Sequence, residues 1–541
     1  HPNHPEYADM TNTPRMNGGV VIKFNANQRY TTDGVSCALF TAVCREAKAP
    51  VQVYANRSDL PGGSTLGSIA TTKVSVPSVD IGLAQLAMHS CVETAGAEDL
   101  DALVRAMTVY YGKTLRRTGE TQQAILDGSR GETMAKVMKT LVMFGEAFHA
   151  EKMVPVTSRY NHLVTSFGLG VLQPVYDLMQ QLIDAGAVSG QKFSADPRPL
   201  DPNVPANLLQ QLVFKKFMYN KQGFYEGQLQ KLGLMDKDAF TCTCYMPEVG
   251  NKPEKGEILS WSESSAVVYA NSVLGARCNR NSGILDIMGS IVGYVPYFGL
   301  LTDEGRKATW IVKIETSKKP EAQLLGSAIG MKVMEDVPYV VGLDKWLGTE
   351  LDDAACTYLK DFGAATASNG AVGLYHIANL TPEAKELGEA LIAPGARLYV
   401  IDDQELQRIQ DGYPVVWKNR DAQPKLCFMG CPHMSLEQLK TWTDRVEASL
   451  AEAGRSKVCI PTVFTAAPAV LKEFEKTPYA ARLKKTGVIT SYICPLMYMN
   501  NPLCGKMPVI TSSNKLRTYT TARYYTDDEI LARITKGGKH A

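Results

Sequence analysis

The sequence predicts an α/β protein built of layered domains, and its length, its composition and the order of its predicted elements support this fold class. A chain of 541 residues that is 45% hydrophobic and 21% charged is typical of a globular protein. This length corresponds to roughly three or four domains or subdomains of ordinary size. Helical patterns such as ANLLQQLVFKKFMYN alternate with strand patterns such as ATWIVKIE and ARLYVID. This alternation favours layered α/β domains.

The N-terminal region repeats this alternation over short elements. The apolar run in GGVVIKFN (residues 18–25) predicts a strand, and the apolar recurrence in SCALFTAVCREA (36–47) predicts a helix before a second strand at VQVYA. The glycine-rich stretch DLPGGSTLGSIA predicts a loop. Residues 105–122 are polar and basic, and a new helical pattern follows them. We therefore expect two regions, residues 1–114 and 115–541.

Charge and hydropathy argue against two classes of partner. The formal net charge is +2, and no run or stripe of basic residues suggests a nucleic-acid interface. No apolar stretch of about 18 residues predicts a membrane span. We expect a cytoplasmic protein that binds neither nucleic acid nor membrane. Because the chain starts at His1 rather than Met, a targeting signal upstream of it stays an open alternative.

The cysteines are the main candidates for chemistry. Twelve are scattered along the chain, which favours reduced thiols over a disulfide framework. Cys242 and Cys244, Cys494 and Cys504 are predicted in loops, and none shows the short, fixed spacing of a zinc finger. A cluster held by cysteines that are distant in sequence stays an alternative.

Cys431 precedes a predicted helix in the segment CFMGCPHMSLEQL. Ser435 and Gln438 fit a capping box, so we expect Cys431 in a loop just before the helix N-terminus. The apolar face of that helix comprises Leu436, Leu439, Val446 and Leu450. The helix N-terminus favours a thiolate. The residues alone leave three roles open for Cys431, namely metal ligand, nucleophile and buried core residue.

Longer motifs in the C-terminal region are similar to a known family. The motifs are, in order, LDGSRGETMAKVMKTLVMFGEAFHAEKMVPVTS, TCTCY, WSESSAVVYANSVLGARCNRNSG, GLYHIANLTPEA, MGCPHMS and CPLMYMNNPLCGKMPVITSSNK. They resemble the large-subunit region of the aconitase X family over residues 119–541. The resemblance implies aconitase-like α/β/α domains and an iron-dependent hydro-lyase whose iron or iron–sulfur centre is held by Cys242, Cys431 and Cys494. Known members dehydrate mevalonate 5-phosphate or cis-3-hydroxy-L-proline, and a small swivelling domain, fused or separate, supplies a serine as the base. No stretch of this chain resembles that domain, so we expect a small partner subunit to supply it.

The same motifs suggest residues around the centre. We expect Arg277 and Asn279 to bind substrate, because a guanidinium matches a carboxylate or phosphate in a bidentate way. Glu263, Ser264, His433 and Lys515 are candidate catalytic residues. His433 could orient the cluster or donate to the substrate. The alternatives are a surface turn for Arg277 and Asn279, a solvated or ion-paired Glu263, a satisfied structural His433 and a surface Lys515.

Five positions depart from the family pattern, and the resemblance therefore does not select the substrate. They are Cys244, Ser265, Cys278 and the pair Tyr492-Ile493. An inactive scaffold that binds the small subunit is accordingly a third alternative to the dehydratase and to the peptidase considered next.

The N-terminal region resembles a different family. The segments HPNHPEYADM, NGGVVIKFNANQRYTTD, NRSDLPGGSTLGSIA and VDIGLAQLAMHSCVE are similar, in order, to the C-terminal end of an M18 aspartyl aminopeptidase. The resemblance implies that His89 binds zinc and that Lys23 helps to hold an acidic substrate. Removal of N-terminal Asp or Glu would need further metal ligands upstream, so we expect no aminopeptidase activity from this chain alone.

Overall fold

The computed structural model describes residues 13–25, 30–55, 78–86, 92–112, 119–500 and 503–537. The chain divides into two compact units. Unit 1 falls within His1–Gln123 and Val142–Met153, and unit 2 within Ala124–Leu141 and Val154–Ala541. Both contain helices and parallel strands, which confirms the predicted α/β class.

Unit 1 contains a small sheet in the order β2-β1-β3. Its elements are β1 (Val20–Phe24), α1 (Gly34–Glu46), β2 (Val51–Ala55), β3 (Ile81–Gly82), β4 (Gln85–Leu86), β5 (Thr94–Ala95) and α2 (Ala97–Gly112). Strands β1 and β2 pair in parallel, and helix α1 begins at a capping box formed by Asp33 and Ser36. The two predicted strands and the predicted helix therefore form close to their expected positions.

Two helices follow along the chain, α3 (Glu120–Leu126) and α4 (Glu132–Ala147). The first part of unit 2 then mixes short strands with helices. Its elements are β6 (Met153–Pro155), β7 (Tyr160–Leu163), α5 (Gln173–Asp184), β8 (Lys192–Ala195), α6 (Leu208–Val213), α7 (Gln222–Leu232), α8 (Ser264–Tyr269), α9 (Gly283–Val292) and β9 (Tyr294–Pro296). Strands β7 and β8 pair in parallel, and single bridges continue from β7 to Trp261 and from β8 to Phe240. These bridges bring the segments before Cys242 and Glu263 to one place.

The middle of unit 2 is built around a parallel sheet in the order β12-β11-β10-β13. Its elements are β10 (Ala308–Ile314), α10 (Ala322–Val333), β11 (Pro338–Val341), α11 (Asp344–Leu347), α12 (Asp353–Asn369), β12 (His376–Ile377), α13 (Pro382–Leu387), β13 (Ile392–Ile401) and α14 (Asp403–Asp411). Helices α10 and α12 approach so closely that a Cβ on Gly326 would lie 2.3 Å from the Phe362 carbonyl oxygen.

The last part of unit 2 holds a second parallel sheet, in the order β16-β15-β14-β17-β18. Its elements are β14 (Leu426–Met434), α15 (Leu436–Glu452), β15 (Thr462–Ala466), α16 (Pro468–Glu475), α17 (Pro478–Lys485), β16 (Ile489–Ser491), α18 (Pro495–Met499), β17 (Val509–Thr511), α19 (Asn514–Tyr519), β18 (Arg523–Tyr524) and α20 (Asp527–Thr535). The chain moves from β14 outward to β16 and then returns to β17 on the other side of β14. Such a reversal leaves a crevice at the carboxyl ends of the two central strands, where α/β proteins bind ligands.

Cys431 lies at this crevice, although not in the loop that the sequence suggested. It belongs to the end of β14, where pairing with β15 is interrupted between Met429 and Met434. The loop assignment was wrong because the pairing of β14 with β15 and β17 joins segments that are distant in sequence. The following helix is as predicted, since Ser435 and Gln438 form the capping box of α15.

Candidate active site

Most of the predicted site residues of unit 2 line one cavity of about 300 Å³. Its wall includes Cys242, Glu263, Ser264, Cys431, His433, Cys494 and Lys515, together with Asp196, which the sequence did not suggest. Three parts of the fold contribute. Cys242 and Glu263 come from the segments beside β7 and β8, Cys431 from the end of β14, and Cys494 and Lys515 from the starts of α18 and α19.

The three cysteines are free thiols, of which Cys431 is buried and Cys242 and Cys494 are half-buried. Burial raises the pKa of all three thiols, and that of Cys494 to about 12. Within the described ranges, no group of three or more His, Cys, Asp or Glu side chains is already close enough to hold a metal ion. The cysteines therefore share a cavity without forming a closed ligand set. Their donor chemistry fits iron, because thiolates are the usual ligands of iron–sulfur clusters.

His433 links the segments that carry the three cysteines. Its ring is fully buried, and Nε2 donates to the Ile493 carbonyl oxygen at 3.0 Å. Nδ1 then accepts from the Thr241 hydroxyl at 3.0 Å, and the His433 backbone N–H contacts Cys242 Sγ at 3.4 Å. Burial lowers the pKa of His433 to about 4, so the ring is neutral. With both ring nitrogens engaged, the orienting role is favoured over proton donation to a substrate.

Lys515 places a buried positive charge on the cavity wall. Its Nζ lies 2.5 Å from Glu263 Oε1 and donates to Ser265 Oγ at 2.7 Å. Burial alone would lower the pKa of Lys515, but Glu263, Cys431 and Cys242 outweigh it and raise that pKa. For Glu263 the directions are reversed. Burial raises the pKa of this carboxyl group, but the effect of Lys515 is larger, and the net shift is downward. Both groups are therefore charged at neutral pH.

Glu263 and Ser264 have local structural contacts as well. Glu263 is the N-cap of α8, and its Oε2 accepts from the Ala266 backbone N–H at 2.6 Å. The Ser264 hydroxyl lies 3.5 Å from Glu263 Oε1. A carboxylate held by a helix N-terminus and a lysine is fixed in place, which suits a positioning role.

The structure places Arg277 and Asn279, which we expect to bind substrate, against a neighbouring segment. Arg277 donates to the Leu301 carbonyl oxygen at 2.7 Å and pairs with Asp303 at 2.5 Å. The Asn279 side chain donates to the Phe298 carbonyl oxygen and accepts from the Leu300 N–H. Both residues instead fix the neighbouring 298–303 segment, and neither lines the cavity.

Arg280, in the same motif, was missed. Its guanidinium lies within electrostatic range of two cavity residues, Glu263 and Tyr519. Nη1 is buried without a hydrogen-bond partner among the described residues. Burial lowers the pKa of Arg280, while Tyr519 and Glu263 oppose that shift. The motif contains two arginines, and its letters alone do not show that Arg277 pairs with Asp303 while Arg280 lies near Glu263 and Tyr519.

In unit 1, Lys23 is half-buried near the end of β1, and its ammonium lies 5.8 Å from the centre of the Tyr30 ring. The predicted zinc ligand His89 lies outside the described residues.

Across the part of the chain that the structure describes, no helix combines the length and the apolar character that crossing a membrane requires.

Family models match most of the chain. The aconitase X first domain matches residues 117–304, and the aconitase X second domain matches residues 308–411. The aminopeptidase I zinc metalloprotease (M18) model matches residues 1–111. Both families imply a metal cofactor.

Individual relatives agree with these matches. The phosphomevalonate dehydratase large subunit of Thermococcus kodakarensis is 30% identical over 353 residues, which cover 64% of this chain and 81% of the relative. The crystal structure of Thermococcus kodakaraensis aconitase X (holo-form) aligns with a TM-score of 0.63 at 25% identity, covering 77% of this chain and 99% of that one. A probable M18 family aminopeptidase 2 of Pseudomonas aeruginosa is 43% identical over 114 residues, 21% of this chain and 27% of that relative.

The two parts of the chain are thus similar to two different families, over very different shares of their relatives. The N-terminal part matches about a quarter of an M18 peptidase, whereas the remainder matches most of a dehydratase subunit. The cavity and its candidate site residues lie in the part of the chain that is similar to the dehydratase subunit. The chain therefore belongs to the aconitase X family of hydro-lyases, as a dehydratase large subunit that carries an M18 peptidase-like segment at its N-terminus.

Proposed function

We propose that this chain is the large component of an iron-dependent dehydratase that removes water from a small hydroxy acid such as mevalonate 5-phosphate or cis-3-hydroxy-L-proline. The observation that carries the proposal is the common cavity of Cys242, Cys431 and Cys494, which come from three distant segments and open beside a buried lysine. The name of the Thermococcus kodakarensis relative supports mevalonate 5-phosphate as the first substrate to test.

The three thiolates would hold the iron or iron–sulfur centre. When bound, that centre supplies a Lewis acid for the substrate hydroxyl. The chain's own residues prepare the site. His433 keeps the cysteine segments together. Because the thiols must lose their protons to bind metal, loading should release protons.

The substrate's anionic groups would meet Lys515 and Arg280. An ammonium has three N–H donors, and the contacts with Glu263 and Ser265 engage two of those of Lys515. The third is available for a carboxylate. Arg280 is half-buried, and its buried Nη1 has no hydrogen-bond partner among the described residues. Its planar donors suit a carboxylate or phosphate.

A small swivel subunit would complete the site and supply the serine that acts as the base. Two observations support this partner. The relatives are named as large subunits, and the family resemblance places that serine on the swivel domain. We also propose the division at residues 1–114 and 115–541, supported by family matches that end at residue 111 and begin at residue 117.

The direct test is dehydration. The anaerobically purified chain, reconstituted with ferrous iron and sulfide and combined with a phosphomevalonate dehydratase small subunit, is given each of the two candidate substrates. Loss of water is followed by mass spectrometry of the product. We expect one substrate to be dehydrated, and Lys515→Met to abolish the reaction. An iron-loaded complex that leaves both compounds intact would contradict the proposal.

A further inference from the structure

Helix α6 and the turn of π-helix that follows it, Phe214–Met218, carry apolar side chains on their outer side as well as on their inner side. The outer side exposes four large apolar side chains, each by between 50% and 86%, namely Leu208, Leu209, Leu212 and Phe217. The three leucines lie one and four positions apart, so they share one face of the helix. A helix that is apolar all round is normally buried, and contiguous exposed apolar side chains mark interaction sites. We call these four side chains the outer apolar face.

The segment that carries this face is anchored to the wall of the candidate active site. The Tyr219 hydroxyl, directly after the π-helical turn, donates to the Met497 carbonyl oxygen at 2.7 Å, and Met497 lines the cavity. The loop before α5 provides a second anchor, because the Gly170 N–H donates to the Met218 carbonyl oxygen at 2.7 Å. The same loop lines the cavity through Phe167. The outer apolar face therefore lies on a segment that is held directly beside the cavity.

Two lysines give the outer apolar face a basic border. Lys215 and Lys216 lie in the same turn as Phe217, both are exposed, and neither forms an ion pair within the described part of the chain. An apolar centre with a polar rim is the usual composition of a protein–protein interface. The complementary surface has an apolar centre and carboxylates at its edge. A second copy of this chain fits poorly, because a symmetric pair would bring the lysines of one copy to those of the other.

We propose that the outer apolar face is where the small subunit docks, and that this subunit presents an apolar patch bordered by carboxylates. The inference rests on the proposed function, in which the small subunit supplies the base. A subunit that places a side chain in the cavity has to rest on the surface beside that cavity, and the outer apolar face is such a surface. The relatives named as large subunits point to the same kind of partner.

The test measures the affinity of the full chain for the phosphomevalonate dehydratase small subunit of the dehydration experiment, by isothermal titration calorimetry. Leu208→Asp and Phe217→Ser should each weaken binding by about 10-fold or more. Aspartate at the first position of α6 suits the helix N-terminus, so the fold should survive the first change. Val416→Asp is the matched control, because Val416 is 56% exposed between α14 and β14 and does not line the cavity. It should leave the affinity unchanged.

The basic border is tested separately. The double variant Lys215→Glu/Lys216→Glu should also bind the small subunit more weakly, and its deficit relative to the wild type should shrink as salt is added, because salt screens exposed charges. A double variant that binds more tightly than the wild type would contradict the acidic edge that we assign to the partner.

Thermal unfolding shows whether each variant is folded, and Phe217→Ser decides the matter if Leu208→Asp is not. Folded variants that bind the small subunit as tightly as the wild type would overturn the docking site and leave the proposed function standing. A wild-type complex that forms, is weakened by both changes and dehydrates neither substrate would support the docking site and refute the proposed reaction. A wild type that binds no small subunit would overturn both. So would a chain that pairs with itself through this face, seen in sedimentation as a dimer that Leu208→Asp dissociates, overturn the docking site.

Discussion

At the scale of single residues, His433 explains how three distant cysteine segments are held together. Its ring joins Thr241 and Ile493, the neighbours of Cys242 and Cys494, and it lies two positions after Cys431. The sequence places a histidine beside Cys431, but it cannot show which partners the ring meets. The same limit applies to Arg280 and Asp196, because their environments are made by segments far away in the chain.

His433→Phe keeps most of the ring volume and removes both hydrogen bonds. We expect the free energy of unfolding to fall by about 1–3 kcal/mol, because the Ile493 carbonyl is left buried and unpaired. The Thr241 hydroxyl keeps its contacts with Thr243. Thr241→Val removes one of the two bonds and should cost less. Urea unfolding measures both variants, and iron bound after reconstitution should fall in the same order. Unchanged stability and iron content in His433→Phe would refute the linking role.

The buried pair of Lys515 and Glu263 predicts a pH dependence. In the wild type the lowered pKa of Glu263 means that the pair stabilises the fold above the unfolded pKa of 4.5 and that this stability is lost as pH falls through the folded pKa. In Lys515→Met the largest remaining influence on Glu263 is burial, which raises its pKa and is opposed by His162 and the Ala266 backbone N–H. We expect burial to dominate, so stability should instead fall as pH rises. We expect a loss of about 3–5 kcal/mol at high pH and a smaller loss near pH 5.

Urea unfolding at several pH values tests this expectation. The double variant Lys515→Met/Glu263→Gln has no carboxyl group to ionise at this place, so its loss should not grow with pH. A loss in Lys515→Met that is the same at every pH would show that Glu263 does not depend on Lys515 for its charge.

At the scale of elements, the end of β14 decides where Cys431 lies. Gly430 has a φ of +94°, and a Cβ there would lie 2.3 Å from the Thr465 carbonyl oxygen. The capping box and the apolar face of α15 could be predicted, because they depend on residues three or four positions apart. Strand β14, which precedes them, could not be predicted over its full length, because it is formed by pairing with β15 and β17, which are distant in sequence.

Gly430→Ala should therefore displace Cys431. We expect the free energy of unfolding to fall by at least about 1–3 kcal/mol because of the backbone conformation, and to fall further because of the close approach to β15. Gly454→Ala is the matched control, since Gly454 also has a positive φ of +63° but nothing lies within 4 Å of its Cβ position. Thermal unfolding and iron content distinguish the two glycines. Equal effects at both positions would argue against a specific contact with Thr465.

At the scale of the whole molecule, strand order places the site. The strand order β16-β15-β14-β17-β18 reverses between β14 and β17. The end of β14 carries His433 to the crevice, and helix α19, which follows β17, carries Lys515 there. The fold class and the family could be predicted from alternating elements and long motifs. The positions of Arg277 and Asn279 could not, because a turn within one motif directs them to the 298–303 segment.

The M18-like segment gives a prediction for the chain as a whole. It covers 27% of the length of an M18 relative, and the resemblance places further metal ligands outside it. We expect no release of N-terminal aspartate from aspartyl peptides, with or without added zinc. Zinc-dependent hydrolysis that Lys23→Ala abolishes would contradict this expectation.

The central claim is that Cys242, Cys431 and Cys494 hold iron, and metal content tests it most directly. Iron and acid-labile sulfide are measured on the anaerobically purified wild type, on Cys431→Ala and on Cys459→Ala. Cys459 serves as the control because its thiol is exposed and does not line the cavity. The account predicts iron in the wild type and in Cys459→Ala, and its loss in Cys431→Ala. Iron that persists in Cys431→Ala, or a wild type that binds none, would contradict it.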